Sequence, residues 1–300
     1  MKGEQSVASA PGEAAKAAPR RVTAAEVHDG RVAQHYAQLG RIRGAEPDFW
    51  GSVASRFRSD PRRELDPVLA KVASYLRPDD VLVDAGGGAG RNCLPLARHC
   101  REVVNVDPSR GMGVEFSASA KEAGITNARF FEGDWLEVEG VEGDAVLAAH
   151  VTYFVQKIVA FVRKLEGAAR RRVILDVLTV PPPNQMAEGF RIVYGEERSP
   201  VPDSDELLAV LDEMGIAPEV IDLGQSTIRR PLPQTRQEAI SSELGVGWLR
   251  AEDIDLGRRL LEEHFSEIFV ETPQGFARRR ATGARELLIT WEPQGKPQSL

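Results

Sequence analysis

The residues Val81-Leu82-Val83-Asp84-Ala85-Gly86-Gly87-Gly88-Ala89-Gly90 constrain the fold of this chain more than any other stretch. A short apolar run closing in a carboxylate and a glycine cluster reads as a strand that turns sharply into a helix. Glycine there lets the backbone approach a ligand where a Cβ would block it. The glycines at 86, 88 and 90 follow a G-x-G-x-G spacing, whereas a nicotinamide fingerprint, G-x-G-x-x-G, needs glycine at 91, which is Arg91. Asp84 points the same way, because a carboxylate repels a pyrophosphate but tolerates a cationic ligand. A tight helix-strand contact and a phosphate loop are the competing readings of the same glycines.

The chain repeats this strand-helix alternation downstream. Apolar runs at 102–107, 128–131, 144–149 and 173–178 read as strands, with helical patterns at 112–123 and 158–165. Such alternation implies right-handed crossovers and a parallel sheet covered on both faces. A helix at 205–213, a strand at 219–223, a mostly helical stretch at 234–267 and a strand at 286–291 follow. Residues 1–24, rich in Ala, Gly, Pro, Ser and Lys without a period, read as a disordered tail. Residues 25–80 carry apolar residues at spacings of three and four between Pro47, Pro61 and Pro67, and read as an N-terminal helical cap. The remainder, 81–300, is the expected α/β domain.

Charge and cysteine content exclude several classes. A net charge of -7 lacks the basic face that releases counterions from a phosphate backbone, so no nucleic-acid partner is expected. The runs Arg170 to Arg172 and Arg278 to Arg280 read as solvated element ends. No run approaches the ~18 apolar residues of a membrane span, and the N-terminus lacks the apolar stretch of a signal peptide. Cys93 and Cys100 lie on what reads as one helix, too far apart to bridge. The expected compartment is a reducing cytoplasm, the expected partner a small molecule rather than a membrane, and the expected state a monomer or homodimer.

The motif "VLVDAGGGAG" resembles the first motif of class I (Rossmann-like) S-adenosylmethionine-dependent methyltransferases, and the resemblance extends over residues 45 to 292. It implies a doubly wound, mostly parallel seven-stranded sheet with an antiparallel C-terminal hairpin, an N-terminal helical cap and a helical lid inserted at about 225–283. It also implies S-adenosylmethionine as cofactor and S-adenosylhomocysteine as product. In the family pattern, Asp84, Gly86, Gly87, Gly88 and Gly90 would face the methionine part. Asp107, at the end of "VVNVDPS", would take both ribose hydroxyls, although an Asp before Pro is also a simple turn former. Asp134 and Trp135 of "FFEGDW" would bind adenine, with Trp135 as core filler the alternative. The opening "FWGSVASRFRSDPRRELDPVLAKVASYLRPDD" and the closing "ARELLITWEP" are similar to a bacterial small-molecule branch, which makes Tyr36, Trp50, Phe57, Tyr194, Arg230 and Trp248 candidate substrate-side residues.

The fourth strand runs through Ala149 into His150-Val151-Thr152-Tyr153-Phe154, at the sheet edge where open α/β folds hold their ligands. Ala149 is expected beside the cofactor. His150 is a candidate general base or a structural hydrogen-bonding group, and Tyr153 lines the substrate cavity or packs in the core. The segment "AAHVTYF" is not the Asp/Asn-Pro-Pro-aromatic motif of enzymes that methylate base amines, and no cysteine nucleophile follows the strand. Only Asp176 stands near the carboxylate positions of catechol-type enzymes, so no metal is expected. The predicted activity is in-line methyl transfer to nitrogen or oxygen of a small-molecule methyl acceptor. The alternatives are a nicotinamide oxidoreductase and a cofactor-binding protein without methyl transfer.

Overall fold

The computed structural model describes residues 21–44, 48–225, 232–244, 248–279 and 283–293. The expected tail at 1–24 lies almost entirely outside them, as does Arg230. Nine strands are described: β1 (Val81–Ala85), β2 (Glu102–Asp107), β3 (Ala128–Glu132), β4 (Gly143–Ala149), β5 (Ala169–Leu178), β6 (Glu219–Gln225), β7 (Phe269–Thr272), β8 (Gly275–Arg278) and β9 (Arg285–Trp291). The helices are α1 (Ala24–Arg43), α2 (Pro67–Ala73), α3 (Cys93–Leu96), α4 (Arg110–Ala123), α5 (Ile158–Ala168), α6 (Pro182–Gln185), α7 (Ala187–Tyr194), α8 (Ser204–Glu213), α9 (Arg236–Leu244), α10 (Ile254–Glu263) and α11 (Phe265–Ile268).

Seven strands form one sheet in the order β3-β2-β1-β4-β5-β9-β6. The first five pair in parallel, while β9 runs antiparallel to both β5 and β6. This is the doubly wound architecture with an antiparallel C-terminal hairpin that the resemblance implies. The strand order reverses between β1 and β4, and ligands of open α/β sheets bind at such a switch point, beyond the carboxyl ends of the strands.

Local chemistry sets the helix ends. Thr23 and Glu26 close a capping box at the start of α1. Asp66 caps α2 ahead of Pro67, and Ser109 caps α4, which ends in left-handed Gly124. One correction concerns the cysteines: α3 is a single turn, so Cys93 and Cys100 do not share a helix, and both are free and buried.

Two apolar layers flank the sheet. One holds α5, α8 and the inward faces of β4 and β5 (Val146, Phe161, Leu165, Val173, Leu211), and the other holds α2, α3 and α4 (Leu69, Leu94, Phe116) against Leu82, Val103, Leu147 and Ile174. The 25–80 stretch therefore divides between the two faces: α1 lies along α8, tied by Arg31 to Glu206 at 2.6 Å, whereas α2 packs on the opposite side. A third apolar cluster, with Phe190, Ile240, Trp248, Leu261 and Phe265, joins α7 to α9, α10 and α11 and forms a helical body of its own. The stretch at 234–267 is helical in α9, α10 and α11 but not at 248–250, and it is followed by the hairpin β7-β8, which the sequence pattern does not announce. Among the described residues, no helix is long and apolar enough to cross a membrane.

Candidate functional site

Register explains how the site is assembled. Paired residues share a face of the sheet, and so do residues two apart on a strand. Asp84 pairs with Asn105 and Leu147, Leu147 with Ile174, and Asp176 with Ala149 and Leu288. One face thus changes character toward the carboxyl ends of β1, β2 and β5: Leu82 gives way to Asp84, Val103 to Asn105 and Asp107, and Ile174 to Asp176. On the reversed strand β9, Leu288 gives way to Glu286 at the same edge. Asp84, Asn105, Asp107, Asp176 and Glu286 are all buried.

The glycine turn covers the β1–β2 part of this edge. Gly86 N–H donates to Val106 O at 2.7 Å, which fastens the turn to β2. Gly86, Gly88 and Gly90 have φ of 77, 53 and 80°, the left-handed region. A Cβ at Gly86 would stand 2.7 Å from Val151 Cγ2, so conformation and space both exclude a side chain there. At Gly87 a Cβ would lie 2.4 Å from Asp84 Oδ2 and 2.7 Å from Asn105 Oδ1, so the turn runs directly over two buried polar groups. Asn105 Nδ2 donates to Gly88 O at 2.9 Å and holds it down.

Asp107 closes the turn from the β2 side. Its Oδ2 accepts from Gly88 N–H at 3.0 Å and its Oδ1 from Ser109 N–H at 2.9 Å. Burial raises its carboxyl above the usual range, and these two N–H bonds oppose the rise. Asp84 is affected more strongly: complete burial pushes its carboxyl up to about 7. The Cys93 thiol and Arg91 lower it, and the neighbouring Asp107 and Asp176 carboxylates raise it further. A nearby cation would shift such a group further toward its anionic form.

Asp48, which no motif singles out, also belongs to this edge. Its carboxylate accepts from Gly51 N–H at 2.8 Å and Gly111 N–H at 3.1 Å, clamping the 48–57 segment onto the first turn of α4 beside Asp107. A Cβ at Gly111 would lie 2.5 Å from Gly51 Cα, which measures the closeness of that contact. The two Asp-to-glycine pairings are far apart or embedded in ordinary loop sequence, so no local pattern announces them.

After β3, Asp134 is exposed and organises a turn, accepting from Leu136 N–H at 2.7 Å. Trp135 is 4% exposed within the main core, with Lys164 Nζ 5.6 Å from its ring centre. Of the two readings left open for Trp135, core packing is the one its position matches.

At the end of β4, Ala149 stands beside Asp176, and His150 N–H donates to Asp176 O at 2.8 Å. His150 has a left-handed φ of 59°, uncommon outside glycine. Its Nε2 lies 3.3 Å from Asp176 Oδ2 and 3.6 Å from Glu286 Oε1, and its Nδ1 lies 3.5 Å from Tyr153 Oη. Burial alone would lower the imidazole pKa, but Asp176 and Glu286 outweigh it and bring it up to about 9. Tyr153 is 2% exposed and its hydroxyl accepts from Leu178 N–H, so it ties the β4 and β5 ends together.

Aromatic side chains gather over this edge. Trp50 packs edge-on against Phe154 and Phe57, with ring centres 5.4 and 5.8 Å apart, and touches Ala89 and Met112 of the glycine-turn side. Tyr36 Oη donates to Phe154 O at 3.3 Å, and buried His35 lies 6.0 Å from the Phe154 ring. Tyr36 and Trp50 thus converge on Phe154, with Phe57 packed behind Trp50, whereas Tyr194 and Trp248 pack on Phe190 in the separate helical cluster.

Strand order, left-handed glycine turn and the carboxylate ending β2 define a Rossmann-like nucleoside-binding fold. The family profile described as "Methyltransferase domain" matches residues 82–171. The 23S rRNA (uracil(1939)-C(5))-methyltransferase RlmD of Aeromonas hydrophila is 43% identical over 56 residues, 19% of this chain and 13% of that protein, so the chain spans only a small part of it. A SAM-dependent methyltransferase from Thiobacillus denitrificans, solved with S-adenosyl-L-homocysteine, superposes with a TM-score of 0.51 at 14% identity, covering 82% of this chain and 98% of that one. The [4+2]-cyclase SpnF superposes with a TM-score of 0.53 at 15% identity, covering 90% and 96%. The profile match over residues 82–171 and the shared fold support a class I S-adenosylmethionine-dependent methyltransferase.

Proposed function

We propose that this protein transfers a methyl group from S-adenosylmethionine to a nucleophilic atom of a small acceptor bound beneath the Trp50–Phe154 aromatic group. The observation that carries the reading is the arrangement of Asp107. Its carboxylate is held by Gly88 and Ser109 N–H groups beside a turn that has no room for a Cβ at Gly86, Gly87 or Gly90, as an acceptor for paired ribose hydroxyls requires. Buried Asp84, with its carboxyl raised to about 7, supplies a latent anion beneath the turn that a cationic ligand would ionise. The residues present therefore fit the cofactor.

When bound, S-adenosylmethionine supplies an electrophilic methyl with its own leaving group. The protein has then to align the acceptor, exclude water and find a place for any proton released. In this reading Gly86 to Gly90 seat the methionine part, Asp107 the ribose and the Asp134 turn the adenine. Trp50, Phe57, Phe154 and Tyr36 exclude water, the 225–283 insertion acts as lid, and Tyr153 positions the end of β4. Without a cation between them, Asp176 and Glu286 favour the protonated form of His150 and disfavour it as a base at neutral pH. The net charge of -7 and the enclosing aromatics favour a small molecule over RNA as acceptor, and two free cysteines suit a cytoplasmic setting.

Isothermal titration tests the cofactor reading. S-adenosylhomocysteine is expected to bind at micromolar or tighter affinity and NADH not to compete. Heat with NADH and none with S-adenosylhomocysteine would reverse the assignment. Release of S-adenosylhomocysteine across a panel of phenols, hydroxy acids and amines then identifies the acceptor class.

A further inference from the structure

The ends of β4, β5 and β9 bring together three side chains that cofactor binding leaves unused. Asp176 pairs with Ala149 on one side and with Leu288 on the other, which sets His150 just past its first neighbour and Glu286 diagonal to it on the same face. One donor atom from each of His150, Asp176 and Glu286 lies within 4.8 Å of the other two. The separations from His150 Nε2, 3.3 Å to Asp176 Oδ2 and 3.6 Å to Glu286 Oε1, have the size of a tetrahedral edge. For metal-ligand bonds of about 2.0–2.2 Å that edge is about 3.3–3.6 Å.

Two further observations set the cluster apart from an ordinary buried ion pair. The Asp176 side chain is only 5% exposed, and its Oδ1 is buried without a hydrogen-bond partner. An orphaned carboxylate oxygen in such a place is costly, and an imidazolium bound through Oδ2 does nothing for it. The left-handed backbone of His150, shared among the described non-glycine residues only with Lys157, is the kind of strain that persists where a side chain must be aimed.

We propose that His150, Asp176 and Glu286 form a binding site for one divalent transition-metal ion, of the Zn2+ or Mn2+ type. One imidazole nitrogen with two carboxylate oxygens suits those ions better than Ca2+ or Mg2+, which prefer all-oxygen shells. Three protein donors leave coordination positions for water or for an oxygen of an acceptor. Resting on the methyl-transfer reading, the cation would lower the pKa of a coordinated acceptor hydroxyl so that its proton passes to water, and the oxygen would take the methyl as the sulfonium C–S bond breaks to leave S-adenosylhomocysteine. The metal site itself does not depend on that reading.

The test uses the full chain, stripped with chelator and titrated separately with ZnCl2 and MnCl2 by calorimetry, with S-adenosylhomocysteine affinity measured on the same samples. The expected result is one ion per chain at micromolar or tighter affinity. Asp176→Asn and Glu286→Gln should each weaken it at least about tenfold while S-adenosylhomocysteine binding persists. Cobalt substitution of the wild type gives a second reading that needs no variant: intense visible bands of a low-coordinate N/O site are expected, not those of the hexaaquo ion. Absence of saturable binding by either metal, or wild-type metal affinity in both variants, would overturn the proposal. Loss of S-adenosylhomocysteine binding with metal binding intact would instead count against the cofactor reading.

Discussion

Asp107 shows how much a single residue can decide in this fold. Its two oxygens hold the glycine turn through Gly88 and the start of α4 through Ser109, and each carboxylate oxygen keeps further acceptor capacity. Asp107→Ala removes an ionised acceptor, and S-adenosylhomocysteine affinity should fall by about 2–4 kcal/mol, or about 30- to 1,000-fold. Calorimetry checks this directly; an unchanged dissociation constant would mean that the ribose sits elsewhere. Asp107→Asn should be milder, because the amide keeps one acceptor for the turn.

Among the elements, α1 carries the most distinctive chemistry, since its inward face presents His28 and His35, both buried. Burial, with Arg198 nearby, drives the His35 imidazole down to about 4, and burial also lowers His28. The sign of the consequence follows from linkage. Between about pH 6.5 and 4 the unfolded chain binds a proton at His35 that the folded chain does not, so stability is lost as pH falls through that window. The loss amounts to about 3 kcal/mol at most, using about 1.4 kcal/mol per pKa unit. His35→Phe should flatten the decline of melting temperature between pH 7 and 5, as followed by circular dichroism. An unaltered slope would place the acid sensitivity in other groups.

On the scale of the whole molecule, the helical cluster around Trp248 is physically separate from the two layers that flank the sheet. Trp248 is 1% exposed, packs tilted against Phe190 and edge-on against Tyr194, and donates from Nε1 to Glu243 O at 2.9 Å. Trp248→Ala should destabilise that cluster by about 3–5 kcal/mol. Because no residue of the glycine turn belongs to it, S-adenosylhomocysteine affinity should change less than about threefold, while urea unfolding monitored by protease sensitivity should gain an early phase. A single cooperative transition with the cofactor site lost at the same urea concentration would show that the cluster and the sheet fold as one.

What was legible in the sequence follows from locality. The glycine spacing, Asp107 at a strand end and the alternation of periods each lie within a few residues, so "VLVDAGGGAG" and "VVNVDPS" were enough to indicate the fold and the cofactor class, while the strand order and its switch point came from the structure. Side-chain partners across strands are set by register, which depends on pairing between residues distant in sequence. For that reason the sequence offered Asp176 as an isolated strand-end residue and His150 as a free candidate base, while Glu286, more than one hundred positions along the chain from either, drew no notice. The loss of apolar character at alternate positions (Leu82 to Asp84, Ile174 to Asp176, Leu288 to Glu286) was a signal in plain view, readable only once the strands were known to share an edge. Only the tertiary structure could decide that these charges meet, because it alone sets the distances over which electrostatics and coordination act.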